Sequence, residues 1–140
     1  MRRRCRTFEH TADVGLEARA DTLGELLAAL GEGLADLVAP RRQVTARESR
    51  TLAVRADDPE SLAVDFLNEV AFTLQSDRFL VAEVRVRSAD EASVEAELVG
   101  EPFDAARPEY ETEVKAATYH EIRIAPAEGG GWLGRVILDI

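Results

Sequence analysis

Apolar and polar positions alternate in two distinct periods along the chain. From residue 6 to residue 20 the period is two: Val14, Leu16, Ala18 and Ala20 alternate with Gly15, Glu17 and Arg19, which predicts an extended segment. The period then lengthens. Leu23, Leu26, Leu27, Leu30, Leu34 and Leu37 fall on one helical stripe. Thr22 and Glu25 have the spacing of a capping box at its start. Pro40 ends it, because the residue before a proline resists helical geometry. Arg41 to Ser49 is polar and reads as a loop, and Leu52, Val54 and Ala56 predict a short strand. Asp58 followed by Pro59 is a second helix start, a capping side chain and then proline at the first helical position. Leu62, Phe66, Leu67, Val70, Ala71 and Leu74 supply its stripe, which runs out near Ser76.

Strands follow. Val84 and Val86 alternate with Glu83, Arg85 and Arg87, and Val94, Ala96 and Leu98 with Glu95 and Glu97. Gly100 to Tyr110 reads as a loop, Val114 to Ala125 as one long extended run, Glu128 to Gly131 as a turn and Trp132 to Ile140 as a closing strand. Strand, helix, strand, helix and then hairpins predict an α+β fold: one domain over residues 1–140, a mixed or mostly antiparallel sheet packed on two helices. No internal repeat, low-complexity tract or second domain is visible.

Charge and composition narrow the function. The formal net charge is −10. Salt-driven nucleic-acid binding needs a basic face that displaces counterions. Strong direct binding of nucleic acid is therefore not expected, and any role in an RNA pathway points to a protein partner. No apolar run reaches the ~20 residues of a membrane span, and no apolar region follows the basic start as in a signal peptide. The single cysteine, Cys5, excludes an intramolecular disulfide and favours a reducing cytoplasm. Arginines surround Cys5 and could lower its pKa, but a residue near a frayed terminus is a poor nucleophile, so a bystander is expected. Sixteen arginines stand against one lysine, Lys115. Genomic bias explains most of that, yet a compact ammonium is not a guanidinium fork, which leaves a hint that position 115 needs an amine.

The common catalytic signatures are missing: no GxGxxG, P-loop, GxSxG, CxxC or HExxH. His10 and His120 are the only histidines, and no cysteine cluster accompanies them, so each alone reads as structural. The carboxylates are more informative. Asp13 lies among small and apolar neighbours. Asp139 interrupts the apolar run Val136-Ile137-Leu138, beside the α-carboxylate of Ile140. A buried carboxylate is costly unless paired or metal-bound, and converging oxygens suit a hard cation such as Ca²⁺. The plainer alternative has Asp139 on the solvent side of a terminal strand and Asp13 capping a turn. In a regular strand Lys115, Ala117 and Tyr119 share one face, and Val114, Ala116, Thr118 and His120 the other, unless a bulge intervenes.

Several segments together resemble the archease family. Phe8-Glu9-His10-Thr11-Ala12-Asp13-Val14-Gly15 resembles its opening motif, and Glu25-Leu26 through Gly33-Leu34 its first helix. Leu67-Asn68-Glu69 resembles its second-helix segment, Val114-Lys115-Ala116-Ala117-Thr118-Tyr119-His120 its most specific internal motif, and Gly131-Trp132 through Val136-Ile137-Leu138-Asp139-Ile140 its closing strand. Glu121 departs from the pattern, standing where the family often has glycine or a neutral residue, which concerns local loop geometry. The resemblance implies a compact α+β fold with a divalent metal, commonly Ca²⁺, at Asp13, Asp139 and the carboxylate of Ile140. It implies activity-supporting roles for Lys115, His10 and His120, and no catalytic residue of the chain's own. It also implies a partner, an RtcB-type RNA ligase whose guanylylation and turnover the family promotes. A second expectation is a chaperone of a nucleic-acid methyltransferase, and a third a stand-alone metal-dependent phosphoesterase. The sequence leaves the oligomeric state and the RNA substrate open.

Overall fold

A computed structural model of the chain describes residues 3–10, 13–103 and 112–140. Two antiparallel sheets enclose two helices. Strands β1 (Arg3–His10) and β2 (Asp13–Ala20) form a hairpin, followed by α1 (Leu23–Val38), β3 (Glu48–Arg55), α2 (Pro59–Gln75), β4 (Phe79–Ala89) and β5 (Ser93–Pro102). The chain closes with β6 (Ala116–Ala117), β7 (Arg123–Pro126) and β8 (Trp132–Asp139). One sheet has the order β1-β2-β8-β6, with β7 also on β8, and the other the order β3-β5-β4. Every strand pair is antiparallel. This is the α+β domain expected from the sequence, with its strands divided between two sheets.

The helix starts follow their capping chemistry. Thr22 accepts a hydrogen bond from the Glu25 N–H at 3.1 Å, and Asp58 accepts one from the Ser61 N–H at 2.7 Å. Only half of the predicted capping box forms at α1, because the Glu25 carboxylate pairs with Arg3 at 2.8 Å instead. Helix α1 packs on β1, β2 and β8 on one side and on β4 on the other, which is why it is apolar nearly all round. Leu26, Leu27, Leu30 and Leu34 are fully buried. Truncating such a leucine to alanine costs about 2–5 kcal/mol in a well-packed core. One carboxylate shares this interior. Glu32 accepts from the Val84 N–H at 3.0 Å and pairs with Arg3 at 2.8 Å, so its charge is compensated where the register of β4 shifts.

Two extended readings of the sequence are corrected. Residues 6–20 are two strands, with His10 opposite Asp13; the connecting Thr11-Ala12 carries none of the Asn-Gly or Asp-Gly signatures of a tight hairpin and lies outside the described residues. Residues 114–125 are also divided. Both β6 and β7 run along the same edge of β8, but a turn from Tyr119 to Ile122 separates them, closed by the Ile122 N–H on the Tyr119 carbonyl at 3.3 Å. Glu121 occupies that turn at φ 51°, the left-handed region that glycine enters most easily. The loop expected over Gly100 to Tyr110 begins later, since β5 continues to Pro102, and residues 104–111 lie outside the described residues.

Cys5 is also corrected. It sits within β1, not on a frayed tail, with its sulfur against Gly33 of α1, where a Cβ would collide with it. Burial raises the Cys5 thiol to about 12, the opposite of the lowering its arginine neighbours suggested.

Short β6 is held by α2. The Gln75 carboxamide makes a reciprocal pair with the Val114 main chain, accepting from its N–H and donating to its carbonyl, both at 2.7 Å. Two turns earlier on the same stripe, Asn68 accepts from the Ala117 N–H at 2.8 Å. Val114 and Ala117 both point into the core, so side-chain alternation slips between them. Sequence reasoning missed both clamps, although an asparagine among the apolar residues of α2 was the visible signal.

Two outcomes follow from this packing. Asn68→Ala should remove about 1–3 kcal/mol of stability by orphaning a main-chain N–H, and should speed hydrogen exchange at Ala117; urea unfolding and exchange NMR read both. Cys5 should react slowly with a thiol reagent at pH 8 in the native protein and rapidly in denaturant. Because the folded state keeps the Cys5 proton above the pH at which the unfolded chain releases it, stability from this group falls as pH rises from about 9 towards about 12, as denaturant midpoints across that range should show.

Candidate functional site

Asp13 opens β2 and Asp139 closes β8, and the antiparallel register sets them directly opposite each other. Opposed residues share a sheet face, with Cβ atoms about 4.5–5.5 Å apart. Leu16, Ala18, Val136 and Leu138 have the other parity and enter the core, so the two carboxylates lie on the outer face, half-buried. The row extends on both sides: His10 is paired with Asp13, and Ala116 with Asp139. The His10 side chain lies outside the described residues. Ile140 follows Asp139 directly and is exposed. The register therefore brings two carboxylates together at one corner of the outer face.

The donor chemistry fits a hard cation, since both side chains offer carboxylate oxygens and a main-chain oxygen at Ile140 is adjacent. Among the described residues no three His, Cys, Asp or Glu side chains gather into a closed metal cage. An ion here would rest on Asp13, Asp139 and Ile140, with its other positions open to water or to a partner.

Lys115 and His120 stand beside this corner in different ways. The Lys115 N–H donates to the Asp139 carbonyl at 2.8 Å, which ties its main chain to the carboxylate strand. Its side chain is exposed and lines a cleft at the C-terminal end of α2 with Gln75, Arg78, Phe103 and Glu113. His120 lies on the exposed turn after β6, its Nε2 3.1 Å from the Glu121 carboxylate. Thr118 braces that turn, accepting from the His120 N–H at 3.3 Å and donating to the Ile137 carbonyl at 2.9 Å.

Next along the outer face, the Phe8 ring lies where a Cβ on Gly15 would stand, and Arg135 stacks on that ring at 4.2 Å. Glu17 then bridges two strands, taking hydrogen bonds from Arg6 at 2.7 Å and Arg135 at 3.1 Å. The bond from Arg6 holds the Glu17 carboxyl below the ordinary carboxylate range. The outer face is therefore acidic at the end bearing Asp13 and Asp139 and increasingly basic away from it.

Comparison with known proteins covers nearly the whole chain. Residues 6–140 match the model of the archease protein family. Protein archease of Thermococcus gammatolerans is 34% identical over 99% of both chains, and that of Pyrococcus abyssi is 32% identical over 95% of this chain and 96% of its own. The solution structure of protein 1598 from Methanobacterium thermoautotrophicum superposes with a TM-score of 0.78 at 28% identity, covering 97% of this chain and 98% of that one. A crystal structure from Thermotoga maritima, described as an archease and possible chaperone, shares the fold with a TM-score of 0.60 at 22% identity, covering 100% of this chain and 98% of that one. With its sequence matched from residue 6 to residue 140, this chain belongs to the archease family.

Proposed function

We propose that this chain is a non-catalytic, cytoplasmic accessory factor of an RtcB-type RNA ligase. It promotes guanylylation of the ligase and multiple-turnover joining of RNA ends, in tRNA splicing or RNA repair. The observation that carries this reading is the apposition of Asp13 and Asp139 across β2 and β8 in a member of the archease family. Asp13, Asp139 and Ile140 would hold a divalent ion, most suitably Ca²⁺, which when bound supplies positive charge to an otherwise acidic corner. The chain's own residues do the positioning. The β2–β8 pairing aligns the carboxylates, and the Lys115 main chain braces Asp139. Lys115, His10 and His120 support activity from the elements around that row.

The surface around the corner suits a protein partner. The exposed large hydrophobic residues among those described are Phe72, Tyr119 and Ile140. Tyr119 follows β6, Ile140 follows β8, and Phe72 lies on the α2 stripe between the two clamps that hold β6. A partner seated there would bury apolar area around the carboxylates. The same exposed aromatics admit a second reading, a chaperone or modulator of a nucleic-acid methyltransferase. On that reading the aromatics matter and the carboxylates do not.

Purified cognate ligase should seal RNA ends over many turnovers faster with this protein present, and Asp13→Asn should abolish the gain. Full stimulation by Asp13→Asn would overturn the ligase reading. Undiminished suppression of methyltransferase aggregation by Asp139→Ala would favour the second. Ca²⁺ at about one hundred times its Kd should stabilise the wild type by about 2.7 kcal/mol in thermal unfolding and leave Asp13→Asn unshifted.

A further inference from the structure

At the end of the five-stranded sheet away from Asp13 and Asp139, the charge pattern inverts. Arg4 of β1 and Arg19 of β2 are direct register partners, and both are exposed. Arg6 is opposite Glu17, which also takes Arg135, so the neighbouring row is neutralised. The Arg4–Arg19 row is not. Among the described residues neither guanidinium has a carboxylate within ion-pairing distance. Two like charges held opposite each other weaken a hairpin, and nothing in the packing of β1 on β2 requires arginine at either exposed position. In a chain of net charge −10, an unneutralised arginine pair stands out against its surroundings.

These arginines do not stand on a flat surface. With Arg3, Ala20, Asp21 and Trp132 they line a cleft at the end of the sheet. The turn joining β7 to β8 forms its far wall. Gly129, Gly130 and Gly131 there all have positive φ, and Gly131 lies so close to the Ala20 carbonyl that a Cβ would collide with it. Arg3 is already committed to Glu25 and Glu32, each at 2.8 Å, so it contributes shape and a fixed positive wall. Asp21 lies at the rim and forms no ion pair with Arg4 or Arg19. The cleft thus combines two guanidinium forks that have no carboxylate partner among the described residues with a tight main-chain wall, while Trp132, opposite Ala20 in the register, edges it from the core-facing side of the sheet.

We propose that this cleft binds a phosphate monoester anion, with Arg4 and Arg19 as its two ligands. A guanidinium presents parallel N–H donors that match two phosphate oxygens, and two forks from adjacent strands can embrace one dianion. Bound phosphate would relieve the repulsion between the pair. The strongly negative chain disfavours a long polyanion, so the ligand is a single phosphate group, free or carried by a nucleotide. The site is distinct from the carboxylate row: Asp13 and Arg19 are six strand positions apart, roughly 20 Å at about 3.3 Å per residue.

Trp132 is the only tryptophan in the chain and lines this cleft, so the protein's tryptophan fluorescence has a single source at its edge. Inorganic phosphate, uridine 5′-monophosphate, uridine and triglutamate are titrated separately into the full-length protein at low salt. A saturable change with phosphate or the monophosphate, absent with uridine and triglutamate, is expected. Tighter binding of the monophosphate assigns the source as a nucleotide, and equal or tighter binding of phosphate assigns it as the free anion. Arg19→Gln should weaken the response by about tenfold or more, and Arg4→Gln likewise. Neither variant should lower the Tm of the unliganded protein, because each relieves a like-charge contact; this thermal readout separates loss of a ligand from loss of the fold. The proposal is overturned by no saturable response to either phosphate probe, by an equal response to triglutamate or uridine, by wild-type titration in Arg19→Gln, or by a lowered Tm in both variants.

Discussion

The architecture depends on where β8 sits. This strand lies between β2 on one edge and β6 with β7 on the other, and among the described residues no other strand joins the two halves of the five-stranded sheet. Its core-facing residues Gly134, Val136 and Leu138 are fully engaged with the interior, and Gly134 meets the ends of Leu26 and Leu30 of α1. Its outer-facing residues carry Arg135 and Asp139. One strand therefore closes the core on one face and presents the site on the other. Pairing positions as distant as Asp13 and Asp139 also makes this a fold of high contact order, in which local helices can form before the sheet is completed.

The placement of the carboxylates is a by-product of register. Once Leu16 and Val136 are fixed as core neighbours, every other pair along β2 and β8 is determined, including Asp13 with Asp139. Slipping the pairing by one residue would turn Leu138 outward and the aspartate inward, which burial forbids. Hydrophobic packing thus sets two carboxylates side by side on the outer face. The same logic governs β6, which is two residues long and lies where it does because Asn68 and Gln75 supply hydrogen bonds that a longer ladder would have made.

Much of this was legible in the amino-acid order, and the remainder failed for identifiable reasons. Both helices, their caps and the strands around Val84, Val94 and Val136 could be read because each depends on local periodicity or on one capping side chain. The breaks at residues 11–12 and 119–122 could not, because neither carries glycine or proline; Glu121 adopts a left-handed backbone without advertising it. Asp13 and Asp139 were conspicuous as charges out of place, whereas their apposition required the strand order, which no local pattern encodes. Cys5 was expected to be a bystander on a frayed tail, and its place inside β1 was not visible from its charged neighbours in sequence. In space its sulfur lies against Gly33, and burial dominates.

The irregularity of β4 has a consequence for how this protein behaves in a crowded solution. An outermost strand with unsatisfied main-chain groups invites another molecule to extend the sheet. Here β4 is outermost, and its register against β5 shifts between Val81 and Glu83 and again between Val86 and Ser88. Such shifts twist and bend the exposed ladder, and Arg85 and Arg87 add charge along it. A second copy approaching this border would find donors and acceptors out of step and hydrated, charged side chains in the way. The kinked margin thereby guards a chain rich in valine and leucine against fibrous self-association.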